Sequence, residues 1–205
     1  MRKVDCEQGS HEWHCLRHGR VTGTTLKSAL GSKKVQETLM MRVISERMTE
    51  PMIDDINAPQ VVRGKEMEPQ ARLAVIKHTG LEFAETGFLV SDEFDGFGFS
   101  PDGIYEQDGK IIGGIELKCP GSKNHVEYIF GNCVPADYEY QVKAPFIMSD
   151  DVQWWYFASY DDRNYQIPLF VTKVSRAELK DIDADREKLK QFLADVKTRH
   201  AEIVF

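Results

Sequence analysis

A run of branched apolar residues with charges set into it constrains this chain more than any other feature. Ile111-Ile112 and Ile115-Glu116-Leu117 have the β-branched, apolar character of a strand buried inside a sheet. Charge is costly there unless it is paired or metal-bound. Yet Glu116 and Lys118 sit in this strand. Side chains alternate along a strand, so those two share a face and Leu117 takes the other. Ser100-Pro101-Asp102-Gly103 comes before it, across a turn. If the two arms pair as a hairpin, Asp102 faces Glu116 and Lys118. Two carboxylates can hold a hard cation such as Mg²⁺, which accepts oxygen ligands and keeps several waters. The amine can then orient or deprotonate a water, or neutralise charge building on a phosphate. The strand ends at Cys119-Pro120, so the charged pair lies at a strand end. The same residues also fit a plainer reading, in which Pro-Asp-Gly is an ordinary turn and Glu-Leu-Lys the polar face of an ordinary strand.

The rest of the chain sets bounds on that chemistry. Its 205 residues suit one domain, 1–205, with a full core. A net charge of −7 excludes a basic coat over the whole surface. Any nucleic acid must therefore meet a local basic patch. The first residues contain no apolar run of signal-peptide type, and no stretch reaches membrane-spanning length. Cys6, Cys15, Cys119 and Cys133 show no Cys-x-x-Cys spacing. That pattern points to a reducing cytoplasm, away from zinc or an iron–sulfur cluster.

Taken in order, Ser10 can cap a short helix carrying Trp13 and Leu16 inward, with Gly19 ending it. A second helix follows from Thr22–Thr25 through Leu26 and Leu30. Arg17, His18 and Arg20 beside a helix start make either an anion site or a solvated basic turn. His11, His14 and His18 read as surface histidines. Residues 33–49 have helical periodicity on Val35, Leu39, Met40, Val43, Ile44 and Met48. A connection spans 51–62, and a helix 63–79, stopped at Gly80, carries Met67, Ala71, Ala74, Val75 and His78 on one stripe. Pro69 is tolerable there in a first turn or at a kink. Glu68 either reaches a metal from this separate element or stabilises a helix start. Strands are expected at Phe83–Val90, at Gly96–Ser100, over Val152–Tyr160 and over Gln166–Val174. Lys123 and Asn124 open a polar segment able to touch a nucleic-acid backbone. Tyr138–Ala144 is helical until Pro145 disturbs it, with Gln141 either facing the site or packed as an ordinary amide. Arg176–Arg199 is a long charged helix buried through Leu179, Ile182, Leu189, Phe192, Leu193 and Val196. The expected class is α/β, a mixed sheet flanked by helices.

With these segments placed, the chain resembles the PD-(D/E)xK nuclease superfamily. More narrowly it is similar to the lambda-type phage exonucleases, or YqaJ-type viral recombinases. The core motif is carried by Ser100-Pro101-Asp102-Gly103 with Glu116-Leu117-Lys118-Cys119-Pro120. Gln8-Gly9, Trp13, Leu16-Arg17, Gly19 and Val21-Thr22 resemble the opening motif. Gly64-Lys65, Glu68 and Ala71-Arg72 resemble the helical one, and Tyr138, Gln141-Val142, Trp155-Tyr156-Phe157-Ala158 and Tyr160-Asp161 the later segments. A core motif alone is weak; four blocks in order are strong.

The resemblance implies a restriction-endonuclease-like core with a mixed central sheet. It implies a Mg²⁺-dependent exonuclease, using two ions with Mn²⁺ able to substitute, that degrades one strand of duplex DNA from a 5′ end. It further implies a homotrimeric ring, a single-strand-annealing recombinase as partner, and the host cytoplasm as its place. By matched position, Asp102 and Glu116 bind metal with the Leu117 carbonyl, and Lys118 activates the attacking water. Glu68 helps position metal or water, and Gln141 supports the site. Arg17, Thr24 and Ser100 hold the terminal or scissile phosphate. Thr24 stands where the family often has serine, Pro69 follows Glu68, and Lys143 stands where a second glutamine is common. Two other readings compete: an endonuclease or junction resolvase on the same core, and a non-catalytic scaffold that binds DNA ends.

Overall fold

The computed structural model describes residues 1–51 and 59–204. Around the expected central strand it forms a sheet of four strands in the order β4-β5-β6-β7: Gly103–Gln107, Lys110–Lys118, Trp154–Tyr160 and Leu169–Ser175. The first two make an antiparallel hairpin turned by Asp108-Gly109, both with positive φ. That is the backbone a tight hairpin needs and Asp-Gly supplies. β6 then lies parallel to β5, pairing Glu116 with Phe157 and Lys118 with Ser159, and β7 returns antiparallel. A second antiparallel sheet joins β1 (Arg2–Val4), β2 (Phe88–Val90) and β3 (Gly98–Phe99).

Helices cover both faces of the larger sheet. One core gathers α2 (Gly23–Ala29), α3 (Lys33–Arg47), α6 (Glu139–Met148) and α7 (Ile182–Ala201) around Leu26, Val142, Phe146, Trp155, Phe157, Leu189 and Phe192. The other packs Ala71 and Val75 of α4 (Pro59–Thr79) on Phe83, Ile115, Leu117 and Ala158. The shorter α1 (His11–Arg17) and α5 (Ser122–Gly131) complete the order. Leu117 thus belongs to the α4 side of β5, as its alternation with Glu116 and Lys118 requires.

Several boundaries differ from those read off the sequence. Pro145 does not end its helix. It forfeits one backbone bond, but Val142 and Ala144 to Met148 are all buried, and packing carries the helix through. Pro69 likewise lies inside α4. The 51–62 connection falls partly on residues 52–58, outside the described residues, and α4 already begins at Pro59. The expected strand Phe83–Val90 is reduced to β2 plus a bridge from Ala84 to Ile104. Gly87 explains the break: a Cβ there would lie 2.1 Å from the Cys6 carbonyl oxygen, so the backbone is pressed against the entering chain. β7 starts at Leu169, because the Asn164 side chain accepts from the amides of Gln166 and Ile167 and turns the chain there. Arg176–Glu178 is a short 3₁₀ turn, and the last helix begins only at Ile182. The polar segment at Lys123 and Asn124 is helical, anchored by His125, which is buried between the Ser159 hydroxyl and the Ile167 carbonyl.

Lys143 pairs with Asp185 of α7, and the two side chains are only 11% and 10% exposed. Breaking such a pair strands a buried charge. Asp185→Ala is expected to lower unfolding stability by about 3–5 kcal/mol, and Lys143→Met in the same chain to return most of it. Chemical denaturation of the single and double variants checks this.

Candidate active site

Pairing of Gly103 with Ile115 sets Asp102 across from the end of β5. Its Oδ2 accepts from the Leu117 amide at 2.6 Å, which locks the carboxylate against the strand. Lys118 Nζ donates to Glu116 and lies 4.0 Å from Asp102 Oδ2. Asp102, Glu116 and Lys118 are therefore brought together on one face of the sheet. Glu116 is 3% exposed. Burial pushes its carboxyl up to about 7, against the pull of Lys118 and with a further push from Asp102. Burial draws the Lys118 ammonium down, but Glu116 and Asp102 outweigh it and the net shift is upward. Glu68 approaches from α4, and its carboxyl is raised first by burial and then by the charge of Asp102. Three acids from three elements thus meet around one amine.

The donor set suits a hard cation. Asp102 and Glu116 offer carboxylate oxygens, and Leu117 adds a backbone carbonyl between Glu116 and Lys118. Among the described residues no group of three or more His, Cys, Asp or Glu side chains stands ready to hold a metal ion by itself. An ion such as Mg²⁺, bound through one or two carboxylates with waters completing its shell, does not need one. The Lys118 ammonium already marks a place where both carboxylates accept positive charge.

A cavity of about 910 Å³ opens beside these groups, between the α1 region and α4, with Trp13, Arg17, Glu68, Arg72 and Asp102 in its wall. The Arg17 guanidinium stacks on the Trp13 ring, 4.3 Å from its centroid. The indole in turn donates to Ser100 Oγ at 2.6 Å, two residues from Asp102. Trp13 thus joins Arg17 to Ser100. Burial lowers the Arg17 pKa, as does the nearby Arg42. Thr24 is exposed at the start of α2, where its hydroxyl meets that of Thr22 at 3.0 Å. Thr22 lines a smaller cavity with Arg17, His18 and Arg42. Gln141 lies on α6, whose backbone packs close to Gly23: a Cβ there would lie 3.6 Å from the Gln141 Cα. One turn before it, Tyr138 places its ring 5.2 Å from Lys118 Nζ.

Reading the residues one by one gave no role to the groups that hold this arrangement. Gln8 donates to the carbonyls of Thr86 and Pro101, tying the entering chain to the residue before Asp102. Asp161 is fully buried and accepts from Arg63 and Arg163. The same two guanidinium groups reach the carbonyls of Cys119 and Pro120 and pin the end of β5 just past Lys118. The signal for Asp161 was an acid directly after an apolar strand. Its partners lie too far away in sequence to be found by spacing.

A model of the YqaJ-like viral recombinase domain matches residues 12–151. The alkaline exonuclease LHK-Exo from Laribacter hongkongensis is 30% identical, with a TM-score of 0.82 over 95% of this chain and 96% of its own. Its complex with dAMP aligns over the same shares at 29% identity and a TM-score of 0.81. A phage-related exonuclease from Haemophilus somnus 129PT shares the fold at 13% identity, with a TM-score of 0.60 over 90% of this chain and 97% of its own. No curated protein matches significantly. The mixed sheet flanked by helices is thus a PD-(D/E)xK-type fold.

Proposed function

The chain belongs to the YqaJ-like viral recombinase family, and on that premise we propose that it is a Mg²⁺-dependent exonuclease acting on linear duplex DNA. It degrades the 5′-ended strand, releases 5′-phosphomononucleotides and leaves 3′ single-stranded tails for annealing. The observation that carries this reading is the meeting of Asp102, Glu116 and Lys118 at the end of one central strand. The alkaline exonuclease it resembles supports it, and so does that protein's complex with dAMP, a deoxynucleoside monophosphate of the class released here.

Asp102, Glu116 and the Leu117 carbonyl would hold the cations, two in number, with Mn²⁺ able to substitute. When bound, they supply neutralisation of the phosphate charge and a more acidic water. The chain's own groups do the rest. Lys118 orients the attacking water and offsets charge on the phosphate. Glu68 holds water or cation from the α4 side, and Gln141 supports this wall. Arg17, with Ser100 and Thr24, takes the phosphate at the 5′ end. Guanidinium groups suit that task because several donors converge on one anion. The assembly is a homotrimeric ring that threads duplex, working with a single-strand-annealing recombinase in the host cytoplasm. No helix among the described residues is long and apolar enough to cross a membrane.

Digestion of end-labelled linear duplex, beside a covalently closed circle, tests this reading. An exonuclease shortens the first from its 5′ ends and leaves the second whole. Cutting of the circle would instead support an endonuclease.

Two quantitative outcomes follow from the geometry. Arg17→Ala is expected to lower kcat/KM on 5′-phosphorylated ends by about tenfold more than on 5′-hydroxyl ends, the scale of one charge-assisted contact. Equal losses on both ends would remove Arg17 from phosphate binding. The second outcome concerns pH. The Glu116 carboxyl is pushed up to about 7, so it still holds its proton below that pH and gives it up above. Binding of a cation therefore weakens as pH falls through 7. We expect kcat/KM to rise roughly tenfold between pH 6 and pH 8, as one group with such a pKa dictates. A profile flat over that range would contradict it.

A further inference from the structure

Arg72 lies one helical turn after Glu68 on α4. Its Nη2 donates to Glu68 Oε1 at 3.0 Å and lies 3.4 Å from Glu85 Oε1. The Arg72 side chain is only 12% exposed, in the cavity wall that also contains Glu68 and Asp102. Its Nε and Nη1 are buried with no hydrogen-bond partner among the described residues. Unpaired buried donors cost stability, so this guanidinium is a poor device for holding the fold together.

The helix beneath it is firmly seated. Ala71 and Val75 are fully buried, and they pack α4 onto Ile115 and Leu117 of the strand that bears Glu116 and Lys118. Arg72 therefore has a fixed base from which to hold Glu68. It engages one oxygen of that carboxylate and leaves the other for the reaction centre. It also adds a second positive charge where Glu68, Asp102 and Glu116 crowd around Lys118 alone.

We propose that Arg72 is a positioning residue of the nuclease centre. It clamps Glu68 from behind, fixing the free carboxylate oxygen toward Asp102, and offsets the negative charge gathered there. Its effect reaches the reaction through Glu68 and not through contact with DNA.

The inference rests on the nuclease reading, so that reading is checked first. Mg²⁺-dependent digestion by the unaltered chain, absent in Asp102→Asn, secures it; inactivity of the unaltered chain would defeat the nuclease reading itself. Arg72→Met and Arg72→Lys then test the clamp. Loss of an orienting partner in a metal site lowers activity or metal affinity about 10–100-fold. For Arg72→Met we expect kcat to fall within that range, with KM for DNA ends changed less than about twofold because no DNA contact is lost. Mg²⁺ binding without DNA, measured by calorimetry, should weaken about tenfold while the melting temperature stays within a few degrees. Arg72→Lys should recover part of kcat, since an ammonium can supply the single donor that Glu68 uses. Unchanged kcat and Mg²⁺ affinity with a lowered melting temperature would overturn the proposal and leave Arg72 a structural residue. Should Arg72→Met not fold, Arg72→Gln, which keeps a polar donor but no charge, is read against Arg72→Lys by the same two quantities. Equal kcat and Mg²⁺ affinity in that pair would likewise overturn it.

Discussion

Asp102→Asn, Glu116→Gln and Lys118→Ala should each lower the rate of linear duplex digestion by at least about 10³-fold, a loss of about 4 kcal/mol of transition-state stabilisation. Each change removes a different contribution. Asp102→Asn keeps the shape that meets the Leu117 amide at 2.6 Å but removes a charge that a cation needs. Glu116→Gln leaves a buried amide beside Lys118 and takes away the second carboxylate. Lys118→Ala deletes the only amine in contact with Glu116 among the described residues. Glu116 is then left buried with no ammonium beside it, which favours its protonated form. All three should retain their circular dichroism spectra. Cleavage by all three at rates within tenfold of the unaltered chain would remove these residues from the chemistry.

A stability effect as large as that of Asp185→Ala is expected from Trp155→Ala. Trp155 is fully buried in β6, edge-on to Phe99 with ring centroids 5.7 Å apart. Its ring also lies over Gly114, where an added Cβ would come within 2.3 Å of the indole. Gly114 pairs with Ile104 across the hairpin that carries Asp102. Removing the indole leaves a hole in the core directly beneath that hairpin. A loss of about 3–5 kcal/mol is expected, since truncated aromatic residues leave cavities that close only in part. For a chain of this length that corresponds to a fall of about 6–20 °C in Tm. A fall of less than about 3 °C, measured by calorimetry, would mean that the core closes over the gap, contrary to its close packing.

The centre of the fold was legible because its signals are local. A strand of Ile and Leu carrying Glu116 and Lys118 fixes its own face alternation, and Asp108-Gly109 specifies the hairpin that brings Asp102 across. The helices α3 and α7 announce themselves by period, although α7 begins only at Ile182, six residues later than that period suggests. What stayed hidden depends on distant partners. Nothing near Pro145 shows that five buried neighbours will carry the helix past it. Gly87 keeps the strand from extending back past Phe88 because Cys6 lies against it, and β1, only three residues long, gives no periodicity to read. In the site, the residues alone leave Glu68 open between reaching a metal and stabilising a helix start. Its approach to Asp102 is a product of α4 packing on β5. Trp13 bridges Arg17 and Ser100 across 87 residues of chain, a link no spacing rule contains.

One experiment separates the nuclease reading from its rivals: incubation of the purified chain with 5′-labelled linear duplex in Mg²⁺, with Ca²⁺ in a parallel reaction. Labelled mononucleotide should accumulate from the first moments in Mg²⁺, and the duplex should stay intact in Ca²⁺, because Ca²⁺ accepts looser coordination than Mg²⁺. Binding to DNA ends with no release of label in either ion would contradict it, and the carboxylates around Lys118 would then serve some purpose other than hydrolysis.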